Sequence, residues 1–133
     1  CMTTGVILVH EKIAARVTEQ LVAKASHLPV GDPATQQVAL GPLISERQRD
    51  RVHGIVQDSI EQGAQLAAGG SYEGNFYKPT VLTQVKPGMR CFDEEVFGPV
   101  ASIILKTAVT RFHSHDVREI CVFETARFGR WSA

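Results

Sequence analysis

Residues 6–10 read VILVH and residues 11–26 read EKIAARVTEQLVAKAS, with no turn residue between them. The first stretch is a β-branched and aliphatic run of the kind that fills a strand buried on both faces. The second places Ile13, Val17, Leu21 and Val22 on one stripe, with Lys12, Arg16, Glu19 and Lys24 on other faces. That is the pattern of an amphipathic helix packed on a sheet. A strand that runs straight into such a helix sets an α/β expectation for the whole chain. The helix is expected to stop before residues 28–33, LPVGDP, because the two prolines cannot continue it and Gly31 and Asp32 favour turns.

Downstream, a loop of small and polar residues runs to Leu43, and Ser45 with Gln48 three places later offers a capping box for a second helix. Val52, Ile55, Val56 and Ile60 form its apolar stripe, and Gly63 suits the position after its end, where positive φ costs glycine little. Residues 64–70 and 77–85 read as short sheet elements, the first closing on the turn glycines Gly69 and Gly70, which lack the strand–GxGxxG–helix context of a phosphate cradle. Residues 89–99 read as a turn-rich connection and residues 100–105 as the third strong strand. After Lys106 the patterning decays, and residues 117–125 fit either a strand or one poor helix. The expected fold is α/β, a largely parallel sheet flanked by helices, without internal repeats.

Composition narrows the function classes. Fourteen Lys and Arg balance fourteen Asp and Glu in 133 residues, so there is no net field to attract a nucleic acid. The longest apolar run, residues 100–105, is broken by Ser102 and falls far short of the roughly 20 residues of a membrane span. No charged and apolar leader opens the chain, which makes a soluble cytoplasmic protein the expectation. Cys1, Cys91 and Cys121 are odd in number and widely spaced, so reduced thiols are expected rather than a disulfide framework or a zinc ribbon.

Three segments are specific enough to carry a family resemblance. They are residues 28–70, LPVGDPATQQVALGPLISERQRDRVHGIVQDSIEQGAQLAAGG, residues 76–82, FYKPTVL, and residues 92–100, FDEEVFGPV. Together and in this order they closely resemble the NAD(P)-dependent aldehyde dehydrogenase superfamily, and more loosely its benzaldehyde and salicylaldehyde dehydrogenase-like branch. The resemblance implies that residues 1–106 are a fragment of a catalytic domain that starts at the nucleophile, Cys1, with Val6 standing where an arginine is common. It implies that Glu95 hydrogen-bonds the nicotinamide ribose and that Phe97 packs near the nicotinamide ring. The implied reaction is oxidation of an aldehyde, an aromatic one on the weakest of these grounds, to a carboxylic acid through a cysteine thiohemiacetal and a thioester, with NAD or NADP as cofactor. The whole enzyme is expected to be a homo-oligomer. A free cysteine titrates near about 8.5, so a thiolate at neutral pH needs help from its surroundings. The family's general base, its oxyanion donor and most of its dinucleotide-binding domain lie upstream of the cysteine, so the isolated chain is expected to be inactive. A chain cut from a larger sheet is also expected to associate through exposed strand edges.

Each assignment has a plainer competitor. Cys1 alone would be an inert terminal thiol, Glu94 and Glu95 solvated loop charges, Phe97 an ordinary core aromatic, and Cys91 a structural or exposed thiol. His113, His115, Asp116 and Cys121 have donor types that suit zinc, but no second ligand pair stands at helical spacing, and no metal is expected. Residues 107–133 match nothing in the family pattern, as a frameshift or a degraded gene would produce. Two other functions compete. One is an N-terminal nucleophile hydrolase built on Cys1, which requires two stacked antiparallel sheets; the other is a noncatalytic remnant that binds other subunits.

Overall fold

The computed structural model describes residues 5–106 and the backbone of residues 120–123. Ten elements follow in order: β1 (Val6–His10), α1 (Glu11–His27), α2 (Glu46–Glu61), β2 (Gln65–Ala68), β3 (Tyr72–Glu73), β4 (Phe76–Tyr77), β5 (Thr80–Thr83), α3 (Arg90–Asp93), β6 (Val100–Lys106) and β7 (Ile120–Phe123). Five of the strands form one sheet in the order β2-β5-β6-β1-β7. The pairs β5–β6, β6–β1 and β1–β7 are parallel, and β2 runs antiparallel to β5 at one edge. This is the α/β class expected from sequence, with one antiparallel strand. Two stacked antiparallel sheets, which the N-terminal nucleophile hydrolase alternative requires, do not occur among the described residues.

Side chains that alternate along β1 explain the layers. Val6 and Leu8 join a core with Val52, Ile55 and Val56 of α2, while Ile7 and Val9 join one with Ala14, Ile13, Val17 and Leu21 of α1. The two helices therefore cover opposite faces of the sheet, and β1 is buried on both. Val9, Val52, Ile55 and Val56 are fully enclosed, each removal from water being worth roughly 1.5–3 kcal/mol.

Caps set the helix ends. His10 closes the start of α1, its Nδ1 accepting from the Lys12 amide at 3.2 Å. At α2 the Ser45 hydroxyl accepts from the Gln48 amide at 3.2 Å, which is the serine half of the expected capping box. The glutamine half is absent, because the Gln48 amide group points to a distant loop instead. Gly63, at φ 107°, ends α2 as expected: its amide donates to Ile60 and that of Ala64 to Ser59, the paired bonds of a Schellman close.

Two expectations need correction. Residues 77–85 do not form one strand. Tyr77 closes the β3–β4 hairpin, and the sheet strand starts only at Thr80, beyond Pro79, which has no amide to offer a ladder. Residues 89–99 contain the short helix α3 besides turns. Of the two readings of Cys91, a structural or an exposed thiol, the structural one holds: the residue is 1% accessible and its amide donates to the buried Ser59 hydroxyl at 3.0 Å. Of the tail, residues 120–123 form a strand rather than a helix, while His113, His115 and Asp116 lie outside the described residues. No described helix is long and apolar enough to cross a membrane, and the described residues hold no metal-ligating cluster.

Tyr77 supplies a test of the packing. It is 1% accessible, stacks on Tyr72, and its hydroxyl lies 3.2 Å from His53 Nδ1. Burial, and secondarily the neighbouring Tyr72, pushes its ionisation up to about 12 from the usual 10.0. Because the folded value lies above the unfolded one, the stabilisation is fully present below pH 10 and is lost as pH rises from 10 to 12. In thermal melts across that window the native chain is expected to lose stability more steeply than a Tyr77→Phe variant. Parallel curves would contradict the enclosed hydroxyl.

Candidate active site

The register between β1 and β6 decides where the singled-out motifs meet. Val6 pairs with Ser102 in a parallel ladder, and the Ser102 amide donates to the Gly5 carbonyl at 3.0 Å. The segment that enters β1 and the Glu95–Val96–Phe97 loop that enters β6 thus arrive at the same end of two adjacent strands. Cys1 itself lies outside the described residues, four positions before Gly5 in the sequence.

Within the loop, Val96 is buried, whereas Glu95 and Phe97 on either side of it are exposed. The Phe97 residue is 69% accessible and takes no part in the core of the described residues. Its φ is 56°, in the left-handed region that disfavours residues with a Cβ by roughly 1–2 kcal/mol. A large aromatic ring held open to solvent on a strained backbone gains nothing from burial, and such strain concentrates at ligand-contacting positions. Gly98 follows, pressed so close to α2 that an added Cβ would lie 2.8 Å from a Val52 methyl.

Helix α2 supplies the fixings. Gln48 Nε2 donates to the carbonyls of Phe97 at 3.0 Å and Val96 at 3.4 Å. Arg51 donates to the carbonyls of Glu95 at 2.9 Å and Val96 at 3.0 Å, and reaches Glu94 at 3.4 Å. Glu94, which the sequence suggested as a solvated charge, also pairs with Arg90 at 2.6 Å, and Arg90 in turn pairs with Asp58. The Arg90 hydrogen bond first, with smaller contributions from the charges of Arg90 and Arg51, holds the Glu94 carboxyl below its ordinary value. Sequence reasoning missed Arg51 and Arg90 and saw Gln48 only as half of a cap. The partners of Gln48 and Arg51 are mostly main-chain carbonyls, which leave no mark in a sequence, whereas Arg90 pairs with the carboxylates of Glu94 and Asp58.

Comparison with known proteins now bears on this site. Residues 1–110 match the model of the aldehyde dehydrogenase family. The chain belongs to the aldehyde dehydrogenase family. It is 51% identical over 109 residues to vanillin dehydrogenase from Amycolatopsis sp., covering 82% of this chain and 22% of that one. It is 48% identical over 103 residues to a benzaldehyde dehydrogenase [NAD(+)] from Pseudomonas putida, covering 77% and 21%. A solved NAD+ complex of aldehyde dehydrogenase from Bacillus cereus superposes with a TM-score of 0.76 at 33% identity, covering 79% of this chain and 22% of that one. The chain therefore spans about a fifth of the length of the curated relatives it matches.

Two substitutions test the loop. Phe97→Gly removes the left-handed strain and little buried surface, so it is expected to leave thermal stability unchanged or raise it by up to about 1 kcal/mol. Gly98→Ala inserts a methyl against Val52 and is expected to cost about 1–3 kcal/mol in chemical denaturation. The opposite order of stabilities would contradict the geometry.

Proposed function

We propose that this chain is the part of an NAD(P)-dependent aldehyde dehydrogenase that carries the nucleophile, Cys1, and a contact surface for the nicotinamide end of the cofactor, Glu95 and Phe97. The observation that carries the proposal is the convergence of Gly5, four positions after Cys1 in the sequence, and the exposed Glu95–Phe97 loop at one end of the parallel pair β1–β6. Family membership and the aldehyde-oxidising relatives support it.

The residues present fit a dinucleotide. Glu95 offers an exposed carboxylate able to accept hydrogen bonds from ribose hydroxyls, and Phe97 offers an open apolar ring against which a flat heterocycle can pack. The thiolate of Cys1 attacks the aldehyde carbonyl, forming a carbon–sulfur bond and a thiohemiacetal. A nicotinamide cofactor held by Glu95 and Phe97 would supply the acceptor for the hydride that this carbon gives up as the thiohemiacetal becomes a thioester, which water then hydrolyses to the acid. Glu95 and Phe97 orient and exclude water, and no proton transfer is assigned to them. An aromatic aldehyde is the proposed substrate class, on the similarity to vanillin and benzaldehyde dehydrogenases. A homo-oligomeric, cytoplasmic enzyme belongs to the same proposal, to be checked by light scattering and cell fractionation.

The first test is the intact mass of the natural product that contains this segment, followed by assay of that product with benzaldehyde and NAD or NADP. Dinucleotide reduction coupled to benzoate formation is expected. Replacing Cys1 by serine is expected to lower kcat by at least about a thousandfold. Glu95→Gln is expected to raise KM for the dinucleotide with a much smaller change for the aldehyde. A natural product confined to these 133 residues and without turnover would overturn the proposal in favour of a noncatalytic remnant.

A further inference from the structure

The segment from Arg90 to Phe97 is laid antiparallel along α2, its contacts running from the C-terminal end of the helix to the N-terminal end, and Gly98 then turns back onto Val52. The Arg90 amide donates to Gln62 Oε1 at 3.1 Å, and the Arg90 side chain pairs with Asp58. The Cys91 amide donates to Ser59 Oγ at 3.0 Å. Glu94, Glu95 and Val96 then all meet Arg51, Phe97 meets Gln48, and Gly98 packs on Val52. Among these partners Arg51 is singular. One guanidinium reaches two successive carbonyls and a carboxylate, which its planar fork of donors permits and a lysine ammonium on a flexible stem does not reproduce.

We propose that Arg51 is a positioning residue: by capturing the Glu95 and Val96 carbonyls it fixes the backbone that aims the Glu95 carboxylate and the Phe97 ring outward, and so sets dinucleotide affinity without touching the reacting atoms. What the loop serves rests on the functional proposal above; the anchoring does not. Glu94 has a second part in this arrangement. Held by Arg90, which is itself tied to Asp58 two turns along α2 from Arg51, it gives the Arg51 guanidinium a fixed counter-charge beside the two carbonyls. Individually such exposed pairs contribute little, but together they leave the guanidinium few alternative placements. Truncation of Arg51 would free the Glu95 carbonyl and leave the Val96 carbonyl with only the 3.4 Å bond from Gln48, next to a left-handed residue, so the loop would relax toward an ordinary backbone conformation.

The experiment compares the complete enzyme with its Arg51→Met and Arg51→Lys variants, each first checked for an unchanged melting transition. In Arg51→Met, amide hydrogen exchange in the peptide 94–99 is expected to rise about tenfold, while α1 and β1 stay protected. KM for NAD or NADP is expected to rise about tenfold and KM for benzaldehyde to change less than about twofold. Arg51→Lys, which keeps the charge and loses the fork, is expected to recover only part of both. Exchange in 94–99 equal to the parent's would overturn the inference, as would equal changes in both KM values accompanied by general loss of protection. Should Arg51→Met fail to fold, Arg51→Lys carries the same two readouts. If the parent enzyme neither binds nor reduces a dinucleotide, the functional proposal fails, and the exchange measurement alone still decides whether Arg51 anchors the loop.

Discussion

The described site depends on one constraint, the docking of an irregular segment on the polar and apolar rows of α2. That helix has two duties at once. Val52, Ile55 and Val56 seal one face of the sheet, while Gln48, Arg51, Asp58, Ser59 and Gln62 receive the chain from Arg90 to Gly98. Because the apolar row is fully enclosed, the helix cannot shift without opening the core, and its polar row inherits that rigidity. A loop with no regular structure of its own is thereby held as firmly as the scaffold behind it.

The sheet contributes direction. β1 is buried on both faces and paired in parallel on both sides, by β6 and β7, so its position is fixed from four directions. Its parallel register with β6 makes the two chain entries neighbours, although the residues involved are about a hundred positions apart in sequence. An antiparallel pairing would have sent the two motifs to opposite ends of the sheet. The strand at residues 120–123, outside the part that matches the family model, fills the place beside β1 with the run Ile-Cys-Val-Phe.

Much of this scaffold was legible because local signals carried it. The aliphatic run at residues 6–10, the stripe Ile13–Val17–Leu21, the serine before α2 and Gly63 after it each imply their element through short-range physics, and each stands where expected. The sequence-level view failed where a proline divided an apolar stretch, at Pro79, and where four residues made a helix too short to show periodicity, at α3. The candidate site was legible only as motifs. Glu95 and Phe97 could be named from a family pattern, but that Phe97 is exposed and left-handed follows from the hydrogen bonds of Gln48 and Arg51, 44 to 49 residues away in sequence. No periodicity reports a contact of that range.

That α2 grips this loop by its carbonyls has a consequence for how such a chain can diversify. A carbonyl is the same at every residue, so Gln48 and Arg51 hold positions 95–97 without regard to the side chains those positions carry. Two roles that would conflict in a side-chain-to-side-chain contact are thereby uncoupled. The outward residues can be exchanged by mutation one at a time while the grip stays intact, whereas a change at Arg51 alters the placement of every group the loop presents. Variation in ligand preference is open to single steps at the rim, and variation in loop geometry is closed to them.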